Sequence, residues 1–135
     1  MPRIRIKICC IQSEAEARLA IAAGADALGL VGTMPSGPGP IADELIARVA
    51  AAVPPPVATF LLTSETAADA IVAHARRGRT NTLQLVDRVA DAVYPRLRAS
   101  LPGIKLVQVI HVAGEESVGD AVAAAAHADA LLLDS

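Results

Sequence analysis

The sequence predicts an α/β protein of the (β/α)8 TIM-barrel type, shortened to six parallel strands and five helices, and three observations predict it. Apolar, strand-like runs recur about every 23 to 30 residues, each followed by a helical pattern, which is the period of βα units joined by right-handed crossovers. Two helix-to-strand joints, residues 22–30 and 125–133, repeat nearly the same sequence around Ala25-Asp26-Ala27 and Ala128-Asp129-Ala130. Finally, 53% of the chain is hydrophobic with one Phe, one Tyr and no Trp, so the core is aliphatic, as in parallel sheets covered by helices. A doubly wound sheet fits less well, because no Gly-x-Gly-x-x-Gly pattern follows the first strand. A full barrel has eight strands and about 250 residues; here a single partial-barrel domain over residues 1–135 is expected.

Each element has its own justification. Ile4, Ile6 and Ile8 alternate with Arg5 and Lys7, the period of a strand. Ser13 and Glu16 form a capping box at the start of the first helix, and Gly24 closes it. Residues 27–31 form the second strand. The stretch 32–40 is too rich in Gly and Pro for regular structure, and its place after a strand makes it a candidate substrate loop. A second helix over 43–53 stops at Pro54-Pro55-Pro56 and a third strand follows at 57–62. A third helix covers 64–77 with Gly78 as its stop, and a fourth strand covers 82–86. The helix at 91–99 carries Pro95 near its first turn, where proline is least costly. A strand at 106–112, a helix at 115–126 and a strand at 130–133 complete the pattern.

Composition excludes several function classes. A net charge of −2, with Lys and Arg scattered among acids and few aromatic rings for base stacking, argues against a nucleic-acid partner. The N-terminus runs straight into an alternating strand, with no signal peptide and no long apolar run, so a cytoplasmic protein without membrane contact is expected. The adjacent Cys9 and Cys10 lack metal-ligand spacing, and His74, His111 and His127 fall in separate elements, so no metal site is expected.

The chemistry is expected at the exit of the first strand. Two cysteines stand where an apolar strand gives way to a capped helix, the place an α/β protein puts reactive groups. Cys9 is the candidate working residue, against the alternative of a buried, inert thiol. Alternation places Lys7 on the same face as Cys9, where it favours the thiolate or holds a substrate carboxylate. Gln84 and His111, at or near the ends of the fourth and fifth strands, are candidates for substrate binding at the C-terminal face.

Lys7-Ile8-Cys9, the helix end and strand at 22–31, and the closing residues 129–135 together resemble the phosphoribosylanthranilate isomerase family of tryptophan biosynthesis, over its strands one to six. The resemblance implies an aldose-to-ketose (Amadori) rearrangement of a small phosphorylated sugar-amine, without metal or organic cofactor. It implies Cys9 as general base and Asp134 as general acid. Those residue types suit the steps: a carboxyl can protonate a furanose oxygen, and a thiolate can take a proton from the carbon beside an iminium. Three stretches depart from the family pattern. Cys10 stands in place of a glycine, the 35–40 stretch has no arginine, and Gln84-Leu85-Val86-Asp87 stands where the family has Gln-Leu-His-Gly. An altered substrate is one consequence. The alternative is a catalytically inactive incomplete barrel that self-associates through open strand edges, so a stable short chain is expected to be a homo-oligomer. A phosphosugar-binding module is a third, weaker alternative, because the usual phosphate loops after strands seven and eight have no counterpart here.

Overall fold

A computed structural model describes residues 2–135. Strand β1 (Lys7–Ile8) leads into α1 (Glu14–Ala22), β2 (Ala27–Val31), α2 (Asp43–Ala52), β3 (Ala58–Thr63) and α3 (Ala68–Gly78). The chain continues through β4 (Thr82–Leu85), α4 (Val93–Ser100), β5 (Lys105–His111), α5 (Glu116–Ala125) and β6 (Ala130–Asp134). The sheet order is β1-β2-β3-β4-β5-β6, every pair parallel. A doubly wound sheet reverses its strand order at a switch point. This one never reverses, and its six strands curl as a half-barrel, the TIM-barrel type expected.

Parallel partners share a face, so the register sorts the side chains into two layers. Leu28, Leu30, Leu61, Leu83, Leu85 and Leu106 face the helices and pack with Ile46, Val49, Ile71, Val72, Val93 and Leu97 in one aliphatic core. The opposite, inner face carries Lys7, Gly29, Phe60, Gln84, His111 and Asp134 by the same register.

The repeated Ala-Asp-Ala joints have a structural reason. Ile6 N donates to Asp26 Oδ2 at 2.8 Å, and Leu106 N donates to Asp129 Oδ2 at 2.8 Å. In the same position before β4, Asn81 Oδ1 accepts from Thr59 N at 3.0 Å. Each even-numbered strand is thus preceded by an Asx side chain that holds the main chain at the start of the strand before it. Arg3 pairs with Asp26 and Arg98 with Asp129, and these hydrogen-bonded guanidiniums, with the donated N–H groups, hold both carboxyls below the usual aspartate range.

Several element bounds differ from expectation. Of the first alternating run only Lys7 and Ile8 pair with β2; Ile4, Ile6 and Ile8 remain exposed. α3 begins at Ala68 rather than 64, since Glu65 N is taken by Thr63 Oγ1 at 3.3 Å in a tight turn. Gly78 does not stop that helix: it is its last residue, and Arg79 takes the left-handed cap at φ 56°. Among the described residues no helix is long and apolar enough to cross a membrane.

Two outcomes follow from this geometry. Arg79→Gly should raise the unfolding free energy by about 0.5–1 kcal/mol, because glycine occupies the left-handed cap without Cβ strain; urea denaturation reads it, and an unchanged or lowered midpoint would count against the assignment. The lowered carboxyls of Asp26 and Asp129 contribute stability that is complete above the unfolded aspartate pKa of about 3.9 and is lost as pH falls through their folded values. Asp129→Asn, which keeps the acceptor as Asn81 does, should flatten the acid limb of the stability profile below about pH 4.

Candidate active site

Cys9 follows β1 on the inner face and is exposed. Gly29 makes room for it: a Cβ on Gly29 would lie 2.8 Å from Cys9 Sγ. The next residue, Cys10, holds φ 61°, a left-handed conformation that glycine adopts at no steric cost, so this side chain stands where the backbone suits glycine. Its thiol lies 3.7 Å from Pro38 O, and burial pushes its pKa up. Gln12 Nε2 donates to Gly39 O at 3.0 Å. The irregular stretch 32–40 is therefore tied to the β1–α1 turn by two side chains, and at its end Ile41 N returns to Val31 O at 2.9 Å.

Lys7 reaches across the inner face. Its Nζ donates to Gln84 Oε1 at 2.5 Å and stands 5.0 Å from the centroid of the Phe60 ring. Burial lowers the pKa of this ammonium. Gln84 is itself buried.

At the other edge His111 and Asp134 are register partners at the C-terminal ends of β5 and β6. His111 Nε2–H donates to Val86 O at 2.9 Å, which orients the ring and leaves Nδ1 as its second nitrogen. Both side chains are exposed.

The structure therefore brings the residues singled out in the sequence together in two groups. Lys7 and Gln84 touch, with Cys9 two residues along the same strand face; His111 and Asp134 sit side by side. Cys9 and Asp134 share the inner face and the C-terminal end but occupy opposite edge strands. Five strand spacings of roughly 4.8 Å separate them along the sheet.

One constellation escaped sequence reasoning. Thr63 Oγ1 lies 2.8 Å from His74 Nδ1, and His74 Nε2–H donates to Asp43 Oδ1 at 3.1 Å. Arg77 Nε donates to the other oxygen, Oδ2, at 2.6 Å. Burial works to raise the Asp43 pKa, but Arg77 and His74 outweigh it and the carboxyl is held below its usual range. Thr63 is 0% and His74 4% exposed, so no substrate reaches them. Gly32 closes over the ring: a Cβ there would lie 2.3 Å from His74 Cε1. The network fixes the point where the 32–40 stretch leaves β2. Its partners lie on α2, β3 and α3, and no local motif marks them. Among the described residues no cluster of three metal-ligating side chains is present.

No protein-family model matches the chain. An N-(5'-phosphoribosyl)anthranilate isomerase of Halobacterium salinarum is 34% identical over 134 residues, 97% of this chain and 58% of that protein. The crystal structure of phosphoribosyl anthranilate isomerase from Thermus thermophilus superposes with a TM-score of 0.83 at 25% identity, covering 98% of this chain and 62% of that one. A phosphoribosyl anthranilate isomerase crystallised with reduced 1-(o-carboxyphenylamino)-1-deoxyribulose 5-phosphate gives a TM-score of 0.83 at 24% identity, covering 98% and 65%. The chain thus spans 58% of the length of the curated Halobacterium relative. In sequence and in strand order, along nearly all of its length, the chain resembles the phosphoribosylanthranilate isomerase family, and its six parallel strands match that family's (β/α)8 barrel-type fold.

Proposed function

We propose that residues 1–135 form one partial-barrel domain of an aldose–ketose isomerase of the phosphoribosylanthranilate type, acting in tryptophan biosynthesis in the cytoplasm. The observation that carries the reading is the shared inner face of Lys7, Cys9, Gln84, His111 and Asp134 within a chain 34% identical to such an isomerase. Its substrate is then N-(5'-phosphoribosyl)anthranilate or a close phosphorylated sugar-amine.

The residues fit the steps in order. Asp134, as its acid, gives a proton to the furanose ring oxygen while the C1–O bond breaks and the nitrogen lone pair forms an iminium. Cys9, as thiolate, takes the proton from C2, and the electron pair moves to give an enolamine. Ketonisation then moves the C2 hydroxyl proton away and adds one at C1, so oxidation at C2 balances reduction at C1 within one molecule. His111, oriented by Val86 O, faces Asp134 and holds a sugar hydroxyl beside it. Lys7 and Gln84 contact the substrate below Cys9.

The reading takes the two edges as covered in the working molecule, by further strands or by a second copy of this chain, so that Cys9 and Asp134 flank one mouth. Supporting this, Ile4 is 85% exposed beside β1, and Val118 (66%), Val122 (69%) and Leu133 (66%) are exposed on α5 and β6. Such apolar surface at an open edge favours a partner.

Conversion of N-(5'-phosphoribosyl)anthranilate to its ketose by the assembled protein is the test. Cys9→Ser and Asp134→Asn should each lower turnover by about 10²-fold or more while the urea midpoint stays put. Undiminished turnover in either variant removes that residue from the mechanism, and no turnover in any assembled form contradicts the reading.

A further inference from the structure

We propose that Cys9 and Cys10 form a two-thiol site for a trivalent arsenical that carries a single substituent, a site that goes beyond the isomerase reading and whose occupancy does not depend on it. The two sulfurs stand on adjacent residues at the exit of β1, Cys9 exposed and Cys10 half-buried, and both are free thiols. In an extended strand neighbouring side chains point to opposite faces. Cys10 leaves that pattern at φ 61°, so the chain turns between the two thiols. Each thiol has its space because a glycine faces it: a Cβ on Gly29 would lie 2.8 Å from Cys9 Sγ, and one on Gly39 would lie 2.7 Å from Cys10 Sγ.

The two sulfurs share one cation and act on each other. Burial lowers the pKa of the Lys7 ammonium, while Cys9 and then Cys10 raise it, so this ammonium faces both thiols. At Cys10, burial and then the charge and hydrogen bonding of Cys9 push the thiol pKa up, against a downward pull from Lys7. Two neighbouring thiolates therefore oppose each other's ionisation. A ligand that bonds both sulfurs at once, turning two charges into neutral bonds, removes that repulsion.

The number of sulfurs and their spacing select the ligand. A structural zinc ion asks for four ligands, and among the described residues no third metal-ligating side chain joins the two thiols. Direct closure to a disulfide is opposed by distance. The Cys9–Cys10 peptide is trans, and adjacent Cα atoms are then about 3.8 Å apart, below the roughly 4.4–6.8 Å that a disulfide ordinarily spans. Arsenic(III) forms three bonds, keeps one to its own substituent and needs two more; inserted between the sulfurs, it widens the ring that the short Cα separation would strain. The exchange balances without an oxidant. With an arsine oxide two S–H bonds break and two As–S bonds form, the oxide oxygen leaves with both protons as water, and arsenic stays trivalent.

Cys9 and Cys10 are the chain's two cysteines, so a thiol count reads the site directly. Phenylarsine oxide is titrated into the reduced full chain, and the remaining thiols are counted with a chromogenic thiol reagent. One equivalent should block both thiols, survive desalting and an excess of glutathione, and come off with dimercaptopropanol. Cys9→Ser and Cys10→Gly each leave a single sulfur and should bind at least about 10²-fold more weakly, because the second bond is no longer intramolecular. Glycine adopts φ 61° at no steric cost, so Cys10→Gly removes the sulfur and keeps the β1–α1 turn. Undiminished retention of the arsenical by either variant, blockage of only one thiol in the native chain, or equal protection of both thiols by Zn²⁺ would overturn the assignment.

Discussion

Register is the constraint on which the molecule depends. In a parallel sheet a slip of one residue turns every side chain to the other face, so a single misplaced pairing would send Lys7 or His111 into the helix layer and a leucine into the site. Three polar side chains hold that register at the N-terminal ends of the strands. Asp26 accepts the N–H of Ile6 just before β1, and Asn81 and Asp129 accept a main-chain N–H from the preceding strand, at 2.8, 3.0 and 2.8 Å. The six strands are in this sense three latched pairs, and chemistry at the opposite ends inherits its geometry from the latches.

The latches also divide the labour of the two faces. On the helix side the sheet offers leucines to an aliphatic core that tolerates small readjustments. On the inner side it offers Lys7 and Gln84, hydrogen-bonded to each other, and His111, hydrogen-bonded to Val86 O, which cannot drift without breaking those bonds. The Thr63–His74–Asp43 network does similar work at the C-terminal end. It ties the end of β3 to α2 and α3 beneath Gly32, where the 32–40 stretch begins. Cys10 and Gln12 hold the far end of that stretch. The segment is anchored at both ends by groups outside it, which suits a fixed wall better than a lid.

Much of this was legible in the sequence, for reasons that are local. Period-two alternation is enough to put Lys7 and Cys9 on one face, and the matching Ala-Asp-Ala joints announce two equivalent strand starts. Ser13 and Glu16 mark α1 because the capping bonds are made within one turn, Ser13 Oγ accepting from Glu16 N at 3.1 Å. What was not legible is what depends on pairing across distance. Lys7 and Gln84 meet across 77 positions of chain, and only the assembled sheet brings them together. Gly78 looked like a helix stop because glycine commonly is one, whereas Arg79 takes the left-handed position here. The shortness of β1 was hidden for the same reason: the isoleucines of the first run alternate correctly, but only Lys7 and Ile8 find ladder partners on β2.

The central claim is that β5 and β6 are held in the register that sets His111 beside Asp134 at the mouth of the inner face. Oxidative cross-linking measures it most directly, in a background where both native thiols are replaced by serine. Strand partners about 4.8 Å apart lie within disulfide reach. His111→Cys combined with Asp134→Cys should therefore close a bridge under mild oxidation, while Ile110→Cys combined with Asp134→Cys should not. A bridge in the second pair and none in the first would place the strands one residue out of step, and the inner-face site would not exist as described.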